Sequence, residues 1–255
     1  MSMSIGSINS RNSFNIYSQL SSGKRINRAA DDASGLAIAQ KLLKSETGFD
    51  VGAQNARDGM GALNVADGAM GGIMDYLQRI DELSIRSMNG LYSDSDRQAI
   101  QSEINGMMEG IQSLAKGTSL NEQKLLDGSM ADLHLATNPS GGGLSIQMEN
   151  TTLKALGLAG YNVTGDFDLS AIGKAMDMVS KARTNMGAST NRLEHTYNYN
   201  RQASENLVGS RSRIEDLDMP KAVSEKQKQQ LLGQYRNLML RRQMNDNGMV
   251  LRLFQ

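Results

Sequence analysis

The sequence predicts a mainly α protein: long antiparallel helices of coiled-coil type with a small β-hairpin region between them. Three observations predict it. Apolar and small residues recur at alternating steps of three and four along one stretch in each half of the chain, the spacing of helices packed side by side. Only 2 of 255 residues are proline and 4% are aromatic, so a core must come from Leu, Ile, Met and Ala, which suits helix seams. Turn residues gather in one place, between 118 and 170.

The elements follow in order. Phe14 to Leu20 reads as a helix end. "LSSGKRINRAADDASGLAIAQ", residues 20–40, then sets a Gly-Lys pair ahead of an apolar helical pattern. A phosphate loop needs an earlier glycine at fixed spacing and a buried strand before it. Neither is present, and Asp31 and Asp32 put negative charge where an anion would sit. Carboxylates suit a helix start, so the stretch reads as a joint between two helical segments. From about Ser34 to Met88 a helix carries the seam Ala56, Gly59, Leu63, Ala66, Met70, Ile73, Leu77 and Ile80, and Asn89-Gly90 stops it. Ser93 and Asp96 approximate a capping box for the next helix, whose stripe is Ile100, Ile104, Met107, Ile111 and Leu114, with Gly117 as the stop.

In the middle region, "LHLAT" and "LSIQME" alternate and pair around an "NPSGGG" turn. Asp168 or Ser170 caps a further helix. Its seam runs Val179, Ala182, Met186, Ser189, Leu193, Thr196, Asn200, Ala203, Leu207, Ser210, Ile214 and Leu217. Thr196 and Asn200 are polar seam members of the sort that fix register. Pro220 cannot continue a helix but fits a first turn, so a last helix begins near Met219 and carries Leu231, Tyr235, Leu238 and Leu251. Two parts are expected: residues 1–33 with 216–255 as a discontinuous terminal helical layer, and 34–215 as a middle helical domain with a small β region at about 118–170. Long helices at both ends favour closing on each other, and such a Met- and Ala-rich seam is expected to be stable chiefly against copies of itself.

Composition excludes several function classes. Lys and Arg total 27, as do Asp and Glu, so no clustered positive charge points to nucleic acid. Absence of Cys excludes disulfides and Cys-ligated metals. No run of 18 apolar residues predicts membrane insertion, and the N-terminus lacks the basic-then-apolar layout of a cleaved signal; export would need another route. The two histidines, His134 and His195, are far apart, there is no H-E-x-x-H, and Glu194 beside His195 points elsewhere on a helix. No catalytic, cofactor-binding or metal site is expected, and no cofactor; the chain does not read as an enzyme. The sequons at Asn150 and Asn162 read as incidental. Arg79 and Glu82 read as an i,i+3 pair on an exposed helix face.

"LSSGKRINRAADDASGLAIA", "NARDGMGALNVADGAM", "LQRIDELSIRSMNG", "SDSDRQAIQSEI", and "GASTNRLEHT" through "ASENLVGSRSRIEDLDM" together resemble bacterial flagellin. Five segments in order cover nearly all of the chain outside 130–170. The resemblance implies a secreted structural subunit of the flagellar filament, acting in motility. Its terminal segments would pair as the inner coiled-coil layer, its middle helices would form the next layer outward, and the 20–40 joint would be the spoke between them. The variable outer domains of many flagellins have almost no room here. Self-assembly would fall to Leu20, Ile26, Leu231, Tyr235, Leu238, Val250, Leu251 and Leu253.

The resemblance also implies partners: other copies of the chain, a flagellar export chaperone at the C-terminus, cap and junction proteins, and the flagellin-sensing Toll-like receptor of animals. Export would follow the flagellar type III route. Gln78, Arg79, Glu82, Leu83 and Glu103 match the receptor motif. Two departures stand out. The segment before "LSSG" is shorter than the family's usual helix by roughly a dozen residues, several turns, and Arg241, Arg242 and Met244 stand where small or amide residues are typical. The alternatives are a hook–filament junction protein, or a minor secreted flagellin acting mainly in host-receptor interaction.

Overall fold

The computed structural model describes the backbone of residues 16–253 and the side chains of residues 16–243. Residues 16–22 are helical and lead into the joint. Then come α1 (Ala33–Ser87), α2 (Asp94–Gly117), β1 (Ser119–Leu120), β2 (Gln123–Lys124), β3 (Asp132–Ala136), β4 (Gly143–Gln147), α3 (Ser170–Glu215) and α4 (Met219–Leu253). The protein is mainly α, with a few short antiparallel strand pairs. The chain divides into two compact units: Met1–Ser45 with Glu205–Gln255, and Glu46–Ser204.

Local chemistry accounts for the helix ends. At α1, Asp32 Oδ1 accepts the Gly35 N–H at 2.8 Å, giving an orphan first-turn donor a partner. At α2 the capping box is complete: Asp96 N–H donates to Ser93 Oγ, and Ser93 N–H to Asp96 Oδ2 at 2.9 Å. The Ser170 N–H and hydroxyl both donate to the Asp168 carboxylate at the start of α3. Asp218, which the sequence reading passed over, starts α4 by accepting the Lys221 N–H.

In the Glu46–Ser204 unit, the seam residues Ala56, Leu63, Ala66, Met70, Ile73, Leu77 and Ile80 are all buried, together with Val179, Ala182, Met186 and Leu193 of α3. Each fully buried Leu or Ile contributes roughly 1.5–3 kcal/mol, so this seam is the main source of stability in the unit. Direction follows from the contacts: Phe49 meets Tyr199 while Asp67 pairs with Arg183, so α1 and α3 run antiparallel. The α2 stripe closes the same core through Ile104 and Ile111. Gln101 binds the loop beyond the strands from both sides: its amide donates to Tyr161 O, and its oxygen accepts the Val163 N–H.

The β3–β4 hairpin pairs Leu133 with Ile146 and Leu135 with Leu144, around a turn in which Gly142 O accepts two N–H donors. It lies in a groove of α1. Pro139 sits against Gly48, and a side chain at Gly52 would overlap Thr137 O. Two amides hold consecutive hairpin carbonyls: Asn55 Nδ2 donates to Ala136 O at 2.7 Å, and Asn200 Nδ2 to Thr137 O at 2.8 Å. Asn200 therefore fixes the hairpin rather than helix register, because its amide meets a strand carbonyl. Thr196 bonds back to Arg192 O within its own helix. The β1–β2 pair was not anticipated, since its turn residues Asn121 and Glu122 take positive φ without glycine.

Candidate functional site

The first candidate lies in the unit formed by the two chain ends. Helix 16–22 stops at Gly23, whose φ of +69° lies in the left-handed region that favours glycine. The chain then bridges to the end of α3. Leu217 N–H donates to Gly23 O at 2.9 Å and Arg25 N–H to Glu215 O at 2.7 Å, around an antiparallel Lys24–Asp216 bridge. Lys24 Nζ reaches Glu215 Oε1 at 2.6 Å, and Arg211 reaches Oε2 at 3.4 Å. Arg25 also donates to Ile214 O. Glu215 is buried, and its two cations offset the cost of desolvating it.

The phosphate reading of this stretch fails in three dimensions. Asp31 Oδ2 accepts the N–H groups of Asn27 and Arg28. Asp32 takes the Gly35 N–H and the Ser34 hydroxyl, and these bonds, the Gly35 bond first, hold its carboxyl below the usual value. The donors an anion would need are already spent.

Beyond the bridge the two ends run antiparallel. The Tyr17 ring lies under Lys226 Nζ at 4.7 Å, and Gln230 donates to its hydroxyl. Further along α4 the apolar residues have no cover: Leu231 is 66% exposed, and Tyr235 and Leu238 are each 60% exposed. Leu20 is half-buried. Ile26 is 1% exposed; contrary to the assembly assignment, it has no free surface for another copy in this conformation, because its own unit encloses it. The side chains of Val250, Leu251 and Leu253 lie outside the described residues, as does that of Met244.

The second candidate is the Arg79 patch on α1 and α2. Arg79 donates to Glu82 at 3.0 Å and to Glu103 at 3.1 Å; these bonds raise its pKa and fix its guanidinium plane. All three side chains are well exposed, so the bridges add little stability. Gln78 is exposed beside them. Leu83 is 1% exposed and belongs to the core; as a receptor contact it is corrected, since it turns inward where a partner cannot touch it. The Glu103 bond joins residues on separate helices, which the spacing within "LQRIDEL" does not reveal.

Among the described residues, no group of three His, Asp or Glu side chains is arranged to hold a metal ion. Within the same residues, no helix is long and apolar enough to cross a membrane.

Residues 2–131 match the family described as bacterial flagellin N-terminal helical region, and residues 169–254 match the bacterial flagellin C-terminal helical region. The chain is 36% identical to a flagellin of Halalkalibacterium halodurans over 87% of its length and 84% of the relative's. It is 35% identical to flagellar filament core protein flaB2 of Brachyspira hyodysenteriae, covering 92% of this chain and 90% of that one. Among solved structures, Bacillus cereus flagellin shares the fold, with a TM-score of 0.51 at 23% identity, over 58% of this chain and 88% of that one.

Proposed function

The chain belongs to the bacterial flagellin family, and from that premise we propose that it is a structural subunit of an extracellular flagellar filament, assembling by burial of its terminal helices between copies. The observation that carries this reading is the exposed apolar run on α4, from Leu231 to Leu240. Six large apolar residues left in water over ten positions are costly for a subunit on its own. A repeating, non-closing contact that covers them gives a fibre. Residues 1–33 with 216–255 would form the inner layer and residues 34–215 the next one outward. Export by the flagellar type III route, with a chaperone on the C-terminal segment, suits tails that complete their fold on binding. Cap and junction proteins would meet the polymer at its ends. The chemistry required is association, not catalysis.

Deleting residues 1–20 or 236–255 should abolish pelletable polymer while far-UV circular dichroism still reports folded middle helices. Unchanged polymer rejects the proposal. Electron microscopy of the intact protein after salt-induced assembly separates the rivals. Long uniform filaments are expected; short stubs would favour a hook–filament junction protein, and no polymer would favour a minor secreted flagellin.

A second reading concerns the animal receptor. Arg79 offers a planar fork, held by Glu82 and Glu103 beside exposed Gln78, and arginine is a frequent hot-spot residue. This favours a role as ligand of the flagellin-sensing Toll-like receptor. Arg79→Ala should lower potency about tenfold or more in a receptor reporter assay; equal potency would remove the reading.

A further inference from the structure

We propose that the groove between the β3–β4 hairpin and α3 binds a neutral sugar. The groove is open to solvent and holds about 340 Å³, at the small end of the range of ligand pockets. One wall is Tyr199, which is 63% exposed yet held in place: Phe49 meets its ring edge-on, with centroids 6.1 Å apart and planes at 79°. An aromatic ring beside Leu144 is a platform for the C–H face of a pyranose, which is apolar while its rim carries hydroxyls.

Most of the remaining lining is polar. Asn138, His195 and Thr196 surround the space. Thr196 donates its proton to Arg192 O and keeps lone pairs that accept. Asn200 lies at the base, fully buried. Its Nδ2 is committed to Thr137 O, and its Oδ1 has no hydrogen-bond partner. Sugar hydroxyls supply donors and acceptors together. No carboxylate, lysine or arginine lines the groove, which argues against phosphorylated or acidic ligands, since those call for charge-assisted bonds. None of these residues belongs to the terminal helices on which the proposed assembly rests.

The test is saturation-transfer NMR and calorimetry on the full chain, with the methyl glycosides of glucose, galactose, N-acetylglucosamine and N-acetylgalactosamine as probes, and sialic acid for contrast. At least one neutral glycoside should bind saturably, with a Kd on the order of 1–10 mM for so small a ligand. Tyr199→Ala should weaken it roughly tenfold and Tyr199→Phe by no more than about twofold, because the ring face is kept. Thermal midpoints of both variants check the fold. In the unmodified protein, the Tyr199 and His195 ring signals should shift with the sugar. Binding of sialic acid alone, no saturable binding by any probe, or full binding by folded Tyr199→Ala would overturn the proposal.

Discussion

The middle unit and the last helix use similar residues with opposite outcomes. Leu77 on α1 is fully buried among seam residues of its own chain, whereas Leu238 on α4 is 60% exposed. Both are leucines on long helices. The difference is partners: α1 has α2, α3 and a hairpin against it, and α4 past Gln230 has no described neighbour over its apolar residues. A helical apolar stripe therefore states that burial is wanted, not where. In the middle unit the partner is another part of the chain; for α4 the proposed partner is another molecule.

The largest expected effect tests the closed side of that contrast. Leu77→Ala should destabilise the middle unit by about 2–5 kcal/mol, read as a lowered denaturation midpoint. A loss as small as that of a surface change would mean the seam is loosely packed, and the contrast would collapse. Next comes the hairpin groove. Gly52→Val drives a side chain into Thr137 O and should cost about 1–3 kcal/mol, while Gly61→Ala, on an open face of the same helix, should be neutral or slightly stabilising.

How far the sequence foretold these two sides depends on the range of each interaction. The seam from Ala56 to Ile80 was legible because helical period is a local signal, as was the capping box, which spans four residues. The Lys24–Glu215 pair was not, because 191 positions separate its members and nothing local marks either one. The glycines at 48 and 52 were visible, but nothing in the pattern shows that a hairpin lies against them. Asp218 was overshadowed by Pro220. At the candidate sites, Arg79 and Glu82 could be paired by spacing, and Glu103 was placed beside them only by family likeness. The inward turn of Leu83 was concealed within a motif quoted whole.

Smaller effects sharpen the open side. Glu215→Gln removes the charge shared by Lys24 and Arg211 and should cost about 1 kcal/mol, because Lys24 is half in solvent and water screens it. The loss should shrink with added salt; indifference to salt would mean that the backbone bridge alone holds the joint. Leu238→Ala should change the stability of the dissociated subunit by no more than about 0.5 kcal/mol while raising the concentration needed for polymer, measured by sedimentation. An equal loss in both assays would place its partner within the same chain.

The most diffuse effect is that of pH. Hydrogen bonds hold the Asp32, Asp96 and Asp168 carboxyls below their ordinary value of 3.8. A depressed folded pKa gives stability that is present above the unfolded value and lost as pH falls through the folded one. Helix content should therefore stay level from about pH 8 down to pH 5 and fall below about pH 4. Ser93→Ala, which removes the largest cause of the Asp96 shift, should make that fall shallower.

The groove on α1 has a price in the helix that carries it. Gly48, Gly52 and Gly59 stand where the hairpin meets this helix, and each weakens a helix by roughly 0.5–1 kcal/mol relative to alanine. The hairpin thus serves as a splint, bracing the part of the rod that glycine softens. Shortening those strands would leave a limp section in the rod itself, so mechanical stiffness and that small piece of sheet should be lost together.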